Sequence, residues 1–286
     1  MKNIDLLQGY APAPTTTQVA QMLEQIAPKV ASNASKEVYK LCYSLIDLTT
    51  LASEDSVDSV AAFAREAVEL VASRPDIPPV ASLCVYPPFV ETVGMQIDGT
   101  PLKITSVAGG FPSSQTFMEV KALECAMAVE SGADEVDIVL NVGMMLSGRV
   151  EEAVSEVAML REEMGDDTVL KVILESGALA DVELIYEASL LVMEAGADFV
   201  KTSTGKQSPA ATPEAAVAIC MAIKSFYEKS GEVRGFKAAG GIRTADDALL
   251  YYTIVKEILG EEWLSADYFR LGASSLAGAL VAKIDE

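Results

Sequence analysis

Histidine does not occur anywhere in this chain. Its absence removes the commonest proton shuttle, the commonest metal ligand and every Ser–His or Cys–His nucleophile arrangement. Acid and base chemistry is therefore left to lysine, carboxylate, tyrosine or water. Basic residues are scarce as well: 21 lysines and arginines stand against 42 acidic residues, a net charge of −21. That balance opposes attachment to nucleic acid or to an anionic membrane surface, and neither is expected as a partner. The four cysteines, Cys42, Cys84, Cys125 and Cys220, are far apart and form no C-x-x-C pair. Neither a disulfide framework nor a zinc ribbon is suggested, and a reducing cytoplasm fits best. No apolar run reaches the roughly eighteen residues a membrane span requires. The opening Met1–Lys2–Asn3–Ile4–Asp5 leads into Pro12, Pro14 and a threonine cluster, unlike a secretory leader.

What the chain does have is size and apolar content: 286 residues, half of them hydrophobic, are enough to bury one full core. Short β-branched runs alternate with helical periodicity from Val38 onward, the order that makes a parallel sheet. The strands are expected at Ser44–Leu48, Val80–Tyr86, Leu102–Ala108, Glu135–Leu140, Val169–Glu175, Phe199–Thr202, Gly235–Ala238 and Tyr268–Leu271. Amphipathic stretches lie near 53–73, 88–97, 115–131, 150–164, 181–195, 212–228, 244–259 and 274–284. Eight strands with eight helices predict an α/β fold of the closed (β/α)8, or TIM barrel, type. Residues 38–286 form this single catalytic domain in our reading. Residues 1–37 form an N-terminal extension with one helix, Thr17–Ser32, placed to cap the bottom of the barrel.

The chain echoes itself at one place. Gly132-Ala-Asp-Glu-Val-Asp137 and Gly196-Ala-Asp-Phe-Val-Lys201 align residue for residue, two βα units apart. Asp137 and Lys201 thus share a register on strands four and six, and alternate strands feed the same interior layer of a barrel. Ordinary barrel repetition would produce the same echo. A lysine and a carboxylate pointing into an apolar barrel are costly unless paired, however, so the alignment also raises the expectation of a site. Lys237, on strand seven, falls beside Lys201. A lysine at its ordinary pKa is uncharged only about 0.04% of the time at pH 7, too little for a good nucleophile. A neighbouring ammonium lowers that pKa by disfavouring a second positive charge.

At this level of detail the sequence resembles the deoxyribose-phosphate aldolases, from about Cys42 to Ala282. The resemblance is carried by Leu45-Ile-Asp-Leu-Thr-Thr-Leu51, Cys84-Val-Tyr-Pro87 and Gly132-Ala-Asp-Glu-Val-Asp-Ile-Val139. It continues through Asp198-Phe-Val-Lys-Thr-Ser-Thr-Gly-Lys206, Gly235-Phe-Lys-Ala-Ala-Gly-Gly-Ile-Arg-Thr244 and Arg270-Leu-Gly-Ala-Ser-Ser275. It implies a class I aldolase of deoxyribonucleotide catabolism in which Lys201 forms an imine, Lys237 tunes it and Asp137 moves protons with them through a water. The substrates implied are a small sugar phosphate and an aldehyde, with no metal and no organic cofactor. A homodimer is compatible with the same resemblance.

A protein this acidic must bind phosphate with local donors, and backbone N–H groups at helix starts supply them. Gly205–Lys206, Gly240–Gly241, and Gly272 with Ser274 and Ser275 follow strands six, seven and eight, where barrel phosphate sites are commonly built. Two adjacent glycines are also what a plain turn needs. Cys84 matches a family cysteine near substrate, yet reads better as a buried small apolar residue. Asp47 is either substrate-proximal or a turn aspartate. Thr204 orients substrate or caps a turn. Lys171 and Glu175 have the spacing of an internal ion pair.

Two departures stand out. Some family members end in a tail tyrosine that assists proton transfer, whereas this chain stops at Ile284-Asp-Glu286, and its N-terminal extension is longer than usual. Three rival readings are in play: a barrel aldolase or transaldolase preferring a ketose donor, a metal-dependent aldolase, which the lack of histidine nearly excludes, and a silent barrel that only binds a sugar phosphate.

Overall fold

Eight short segments, apolar on the side that faces outward, pair in chain order and close on themselves. The strands are β1 (Ile46–Thr49), β2 (Ser82–Val85), β3 (Lys103–Val107), β4 (Glu135–Val139), β5 (Val169–Ile173), β6 (Phe199–Lys201), β7 (Gly235–Ala239) and β8 (Phe269–Ala273). All pairings are parallel, and β8 returns to β1 to complete the barrel. This is a computed structural model, and it describes residues 7–286. Each strand expected from the sequence is present, its ends displaced by no more than two residues.

The helices form the outer ring. Apolar periodicity alone would not fix their ends, but polar caps do. Ser56 caps α3 (Val57–Ser73), Thr212 with a proline in the first turn starts α10 (Pro213–Ser230), and Thr244 caps α11 (Ala245–Ile258). Between these lie α4 (Val90–Ile97), α5 (Met118–Glu130), α7 (Val150–Met164) and α9 (Val182–Glu194), and α12 (Leu276–Asp285) closes the chain. Two short helices were not expected, α6 (Val142–Leu146) and α8 (Ser176–Leu179). Neither is long enough to show a helical period in sequence.

Before the barrel, α1 (Thr16–Val30) opens with a reciprocal cap between Thr15 and Gln18 and buries Val19 and Ile26. It packs against α9, α10 and α11, on the outer wall rather than across the bottom as anticipated. The apolar stripe of α1 finds its partner on those helices, whose exposed sides it covers. A second helix, α2 (Lys36–Ser44), spans the boundary drawn at 37/38, with Ser35 as its cap, and packs on α12 and α11. No helix was expected there. The opening Met1–Asp5, used above against a leader, lies outside the described residues. Among the described residues no helix is long and apolar enough to cross a membrane.

Two kinds of core result. Outward-facing strand residues such as Val136, Ile138, Leu170, Val172, Val200 and Phe236 are fully buried against the helices. Inward-facing residues alternate with them and are largely polar. Low in the barrel, the Phe199 ring occupies space that only a glycine opposite permits: a Cβ on Gly235 would lie 2.4 Å from it. Above the ring, stacked charges fill the interior.

Candidate active site

The period of two along each strand sends Asp47, Glu135, Asp137, Lys171, Lys201, Lys237 and Arg270 into the barrel, all of them buried. Strand register sets their heights. Asp137 lies opposite Lys171, Ile173 opposite Lys201, Lys201 opposite Lys237, and Lys237 opposite Arg270.

The lower tier is a closed ion network. Arg270 donates to Glu135 Oε1 at 2.7 Å and to Asp47 Oδ1 at 2.5 Å, and Lys171 meets Glu135 Oε2 at 2.5 Å. Thr105 and Ser82 fill remaining acceptor sites on Glu135 and Asp47. Burial pushes both carboxylates up, but the surrounding cations outweigh it and hold both below the usual range. The expected Lys171–Glu175 pair does not form. Lys171 turns to Glu135 and to Asp137, at 3.1 Å, because those carboxylates share the barrel interior with it, whereas Glu175 lies beyond the end of β5.

The upper tier contains the three groups singled out from the sequence, and they converge. Asp137 Oδ2 accepts from Lys201 Nζ at 2.6 Å and from Lys237 Nζ at 2.8 Å. The two lysines differ in what else they touch. Lys237 has a second carboxylate, Asp47 Oδ2 at 2.5 Å, whereas among the described residues Lys201 has Asp137 alone. Burial lowers both amines; for Lys237 the pull of Asp137 and Asp47 overrides it and the pKa is raised. For Lys201 burial prevails over the single carboxylate, with the Lys237 ammonium acting in the same direction, and the pKa is lowered. The Lys237 ammonium, the cause expected from the sequence, contributes, but desolvation is the larger cause. Asp137 is held far below the carboxylate range by Lys171, Lys201 and Lys237, against its own burial.

Counting reinforces the asymmetry. Three carboxylates, Asp47, Glu135 and Asp137, face four bases, Lys171, Lys201, Lys237 and Arg270. The interior is neutral only when one base has lost its proton, and Lys201 is the one whose surroundings favour that loss.

A cavity of about 410 Å³ opens at the C-terminal ends of the strands. Of the upper tier only Lys201 lines it. Thr204, Gly205, Lys206, Gly240, Gly241, Gly272, Ser274 and Ser275 all line it too, so the residues named for substrate and phosphate converge on one space. Gly205, Gly240 and Gly241 have φ near +76°, +85° and +84°, which favours glycine. Their backbone N–H groups, and those of Ser274 and Ser275, donate to no protein acceptor among the described residues. Those serines stand at the start of α12, where the helix dipole adds positive potential.

Of the residues named for substrate or phosphate, two do not line this cavity. Asp47 is neither a turn aspartate nor a wall residue; it is wholly buried and holds Lys237 and Arg270. Cys84 is buried with Leu51 and Val107 in a small apolar cluster, and burial pushes its thiol pKa up. Sequence reasoning missed Thr49 and Arg243, which line the cavity, and the Glu135–Arg270 pair below it. Arg270 was findable: it precedes Gly272 by two positions on an interior strand face. Arg243 follows Gly240–Gly241 in a loop whose path the sequence does not reveal.

A closed parallel barrel with a buried amine of lowered pKa at its C-terminal mouth has the architecture on which barrel enzymes build their sites. The model of the DeoC/LacD family aldolases matches residues 43–274, and the chain belongs to that family of carbon–carbon lyases. It is 41% identical over 251 residues to the deoxyribose-phosphate aldolase of Mus musculus, covering 84% of this chain and 79% of the mouse protein. The human deoxyribose-phosphate aldolase is 38% identical over 253 residues, with the same coverage of 84% and 79%. Among solved structures, the tetrameric deoxyribose phosphate aldolase of Aeropyrum pernix superposes with a TM-score of 0.67 at 26% identity. It covers 96% of this chain and 99% of its own.

Proposed function

We propose that the chain reversibly cleaves 2-deoxy-D-ribose 5-phosphate to D-glyceraldehyde 3-phosphate and acetaldehyde through an imine on Lys201. The observation that carries this reading is the unequal partnering of two lysines about one carboxylate, with the less-paired amine at the cavity.

In the cleavage direction the neutral Lys201 Nζ attacks C1 of the open-chain aldehyde and forms a carbinolamine. The charged Lys237 supplies the proton with which the C1 hydroxyl leaves as water, and an iminium remains. The C3 hydroxyl then loses its proton, through a water beside Asp137, to the Lys237 amine left neutral by the preceding step, the C3 oxygen becomes a carbonyl, and the C2–C3 bond breaks. Its electron pair moves into the iminium, giving an enamine on Lys201. Glyceraldehyde 3-phosphate departs, C2 takes a proton, and water releases acetaldehyde and the free amine. Asp137, ionised throughout by its three lysine neighbours, steadies the positive nitrogen at each stage. The phosphate is taken by the free amides of Gly205, Gly240, Gly241, Ser274 and Ser275, with Lys206 and Arg243 at the rim and no metal required. Four free cysteines are compatible with a reducing, cytoplasmic setting.

Borohydride reduction in the presence of acetaldehyde, followed by peptide mass spectrometry, tests this. An added ethyl group is expected on the peptide carrying Lys201, and Lys201→Leu is expected to lose the adduct and turnover while keeping its circular dichroism. An adduct on another lysine, or turnover surviving in Lys201→Leu, defeats the assignment.

A further inference from the structure

Glu175 takes no part in the steps above, yet two costs meet at this residue. Its carboxylate is 1% exposed and has no ion pair among the described residues, and burying an unpaired carboxylate is unfavourable. Its backbone is left-handed, with φ 52° and ψ 58°, a conformation that residues bearing a Cβ rarely adopt. Strain of this kind persists where the surroundings hold it in place, and it gathers at ligand sites.

Among the described residues the side chain bonds to one, Thr204, and binds it twice. Oε2 accepts the Thr204 hydroxyl at 2.5 Å, and Oε1 accepts the Thr204 N–H at 3.3 Å. A hydroxyl has one proton, so giving it to Glu175 leaves the Thr204 oxygen as an acceptor. That oxygen takes the Lys206 N–H at 3.0 Å. The direction of the turn from Thr204 to Lys206 is thereby fixed from behind. Gly205, in the middle of the turn, presents its unbonded N–H at the cavity wall and packs so closely on Gly240 that a Cβ there would lie 3.0 Å from the Gly205 Cα. The rest of the β5–α8 corner grips the same segment at its ends. Ser176 N–H donates to the Thr202 carbonyl at 2.8 Å, and Gly177 lies so close to Pro209 that a Cβ would fall 1.9 Å from its carbonyl oxygen.

The geometry points to Glu175 as a positioning residue for recognition of the substrate's phosphate. It acts through Thr204, setting the turn whose Gly205 amide and Lys206 meet the anion. It does so without touching the anion, from which Thr204 separates it. The inference rests on the reading of the cavity as a sugar-phosphate site.

The test compares 2-deoxyribose 5-phosphate with 2-deoxyribose as substrates for the full chain and for Glu175→Gln, Thr204→Val and the double variant. In Glu175→Gln the preference for the phosphorylated sugar, as a ratio of kcat/KM values, is expected to fall about tenfold, the scale of one lost hydrogen bond to a bound ligand, chiefly through KM. Because Glu175 acts through Thr204, the double variant is expected to lose no more preference than the worse single variant. Equal losses on both sugars would make Glu175 a structural residue only and overturn the inference, as would fully additive losses. If Glu175→Gln does not fold, Thr204→Val decides alone: an undiminished phosphate preference there also overturns it. The imine and the positioning role are tested separately. A wild-type protein that gives no reduced adduct on Lys201 sinks the imine reading, whereas an adduct with phosphate preference intact in Glu175→Gln sinks only the positioning role.

Discussion

Lys201 and Lys237 are chemically identical, sit side by side on neighbouring strands and touch the same carboxylate oxygen. What separates them is one further carboxylate, Asp47, on one side only. Removing the Lys237 ammonium takes away a repulsion on Lys201 and leaves Asp137 with fewer cations to share. Both changes favour the protonated form of Lys201, so Lys237→Leu is expected to raise its pKa. The sign for activity follows: the nucleophile is the neutral amine, the rising limb of kcat/KM tracks its deprotonation, and the limb moves to higher pH. A displacement of about one pH unit corresponds to about 1.4 kcal/mol of lost repulsion. A pH–rate profile for the cleavage reaction reads this directly, and an unmoved limb counts against the tuning role. The same variant strands Asp47 beside Arg270 with one cation fewer, and a loss of about 3–5 kcal/mol in urea denaturation is expected from breaking a buried pair.

Barrel elements were legible because each is announced by a repeated local signal. Eight apolar runs give eight strands, and polar caps such as Ser56, Thr212 and Thr244 fix the helix starts. The echo between 132–137 and 196–201 correctly brought Asp137 and Lys201 together, since interior facing and height both follow from strand phase. What the strands do to one another across the barrel was not legible. The partners of Lys171 depend on barrel stagger, so its pairing with Glu135 and Asp137 instead of Glu175 was beyond a one-dimensional reading. Helices α6 and α8 are shorter than two turns and show no period. The pairing of Phe199 with Gly235 is of the same cross-strand kind and makes an element-scale prediction. In Gly235→Ala the new methyl would lie 2.4 Å from the ring, so the low barrel layer must shift. A destabilisation of about 1–3 kcal/mol is expected, as for other overpacked cores. Adding Phe199→Leu, which removes the obstructing ring edge, is expected to recover part of it. Chemical denaturation of the two variants measures both effects, and a double variant no more stable than Gly235→Ala would place the strain elsewhere.

At the scale of the whole molecule, a chain of net charge −21 has to attract a doubly charged phosphate ester. Two fields oppose each other here, and they differ in range. The repulsion comes from exposed carboxylates spread over the surface and acts over tens of ångströms at low salt, where the Debye length is about 30 Å at 0.01 M. The attraction comes from contact with backbone N–H groups, the start of α12, Lys206 and Arg243, all at the cavity wall. Raising sodium chloride to 0.15 M shortens the Debye length to about 8 Å, which removes most of the repulsion and leaves contact interactions largely in place. The value of kcat/KM for 2-deoxyribose 5-phosphate is therefore expected to rise between these salt concentrations, by up to about tenfold, the low end of electrostatic steering effects. Uncharged 2-deoxyribose feels neither field, and its kcat/KM is expected to stay level. Sulfate is unsuitable for the experiment because it would compete for the same amides. A fall with sodium chloride would mean that the local positive potential of the mouth, and not the net charge, governs the approach of substrate.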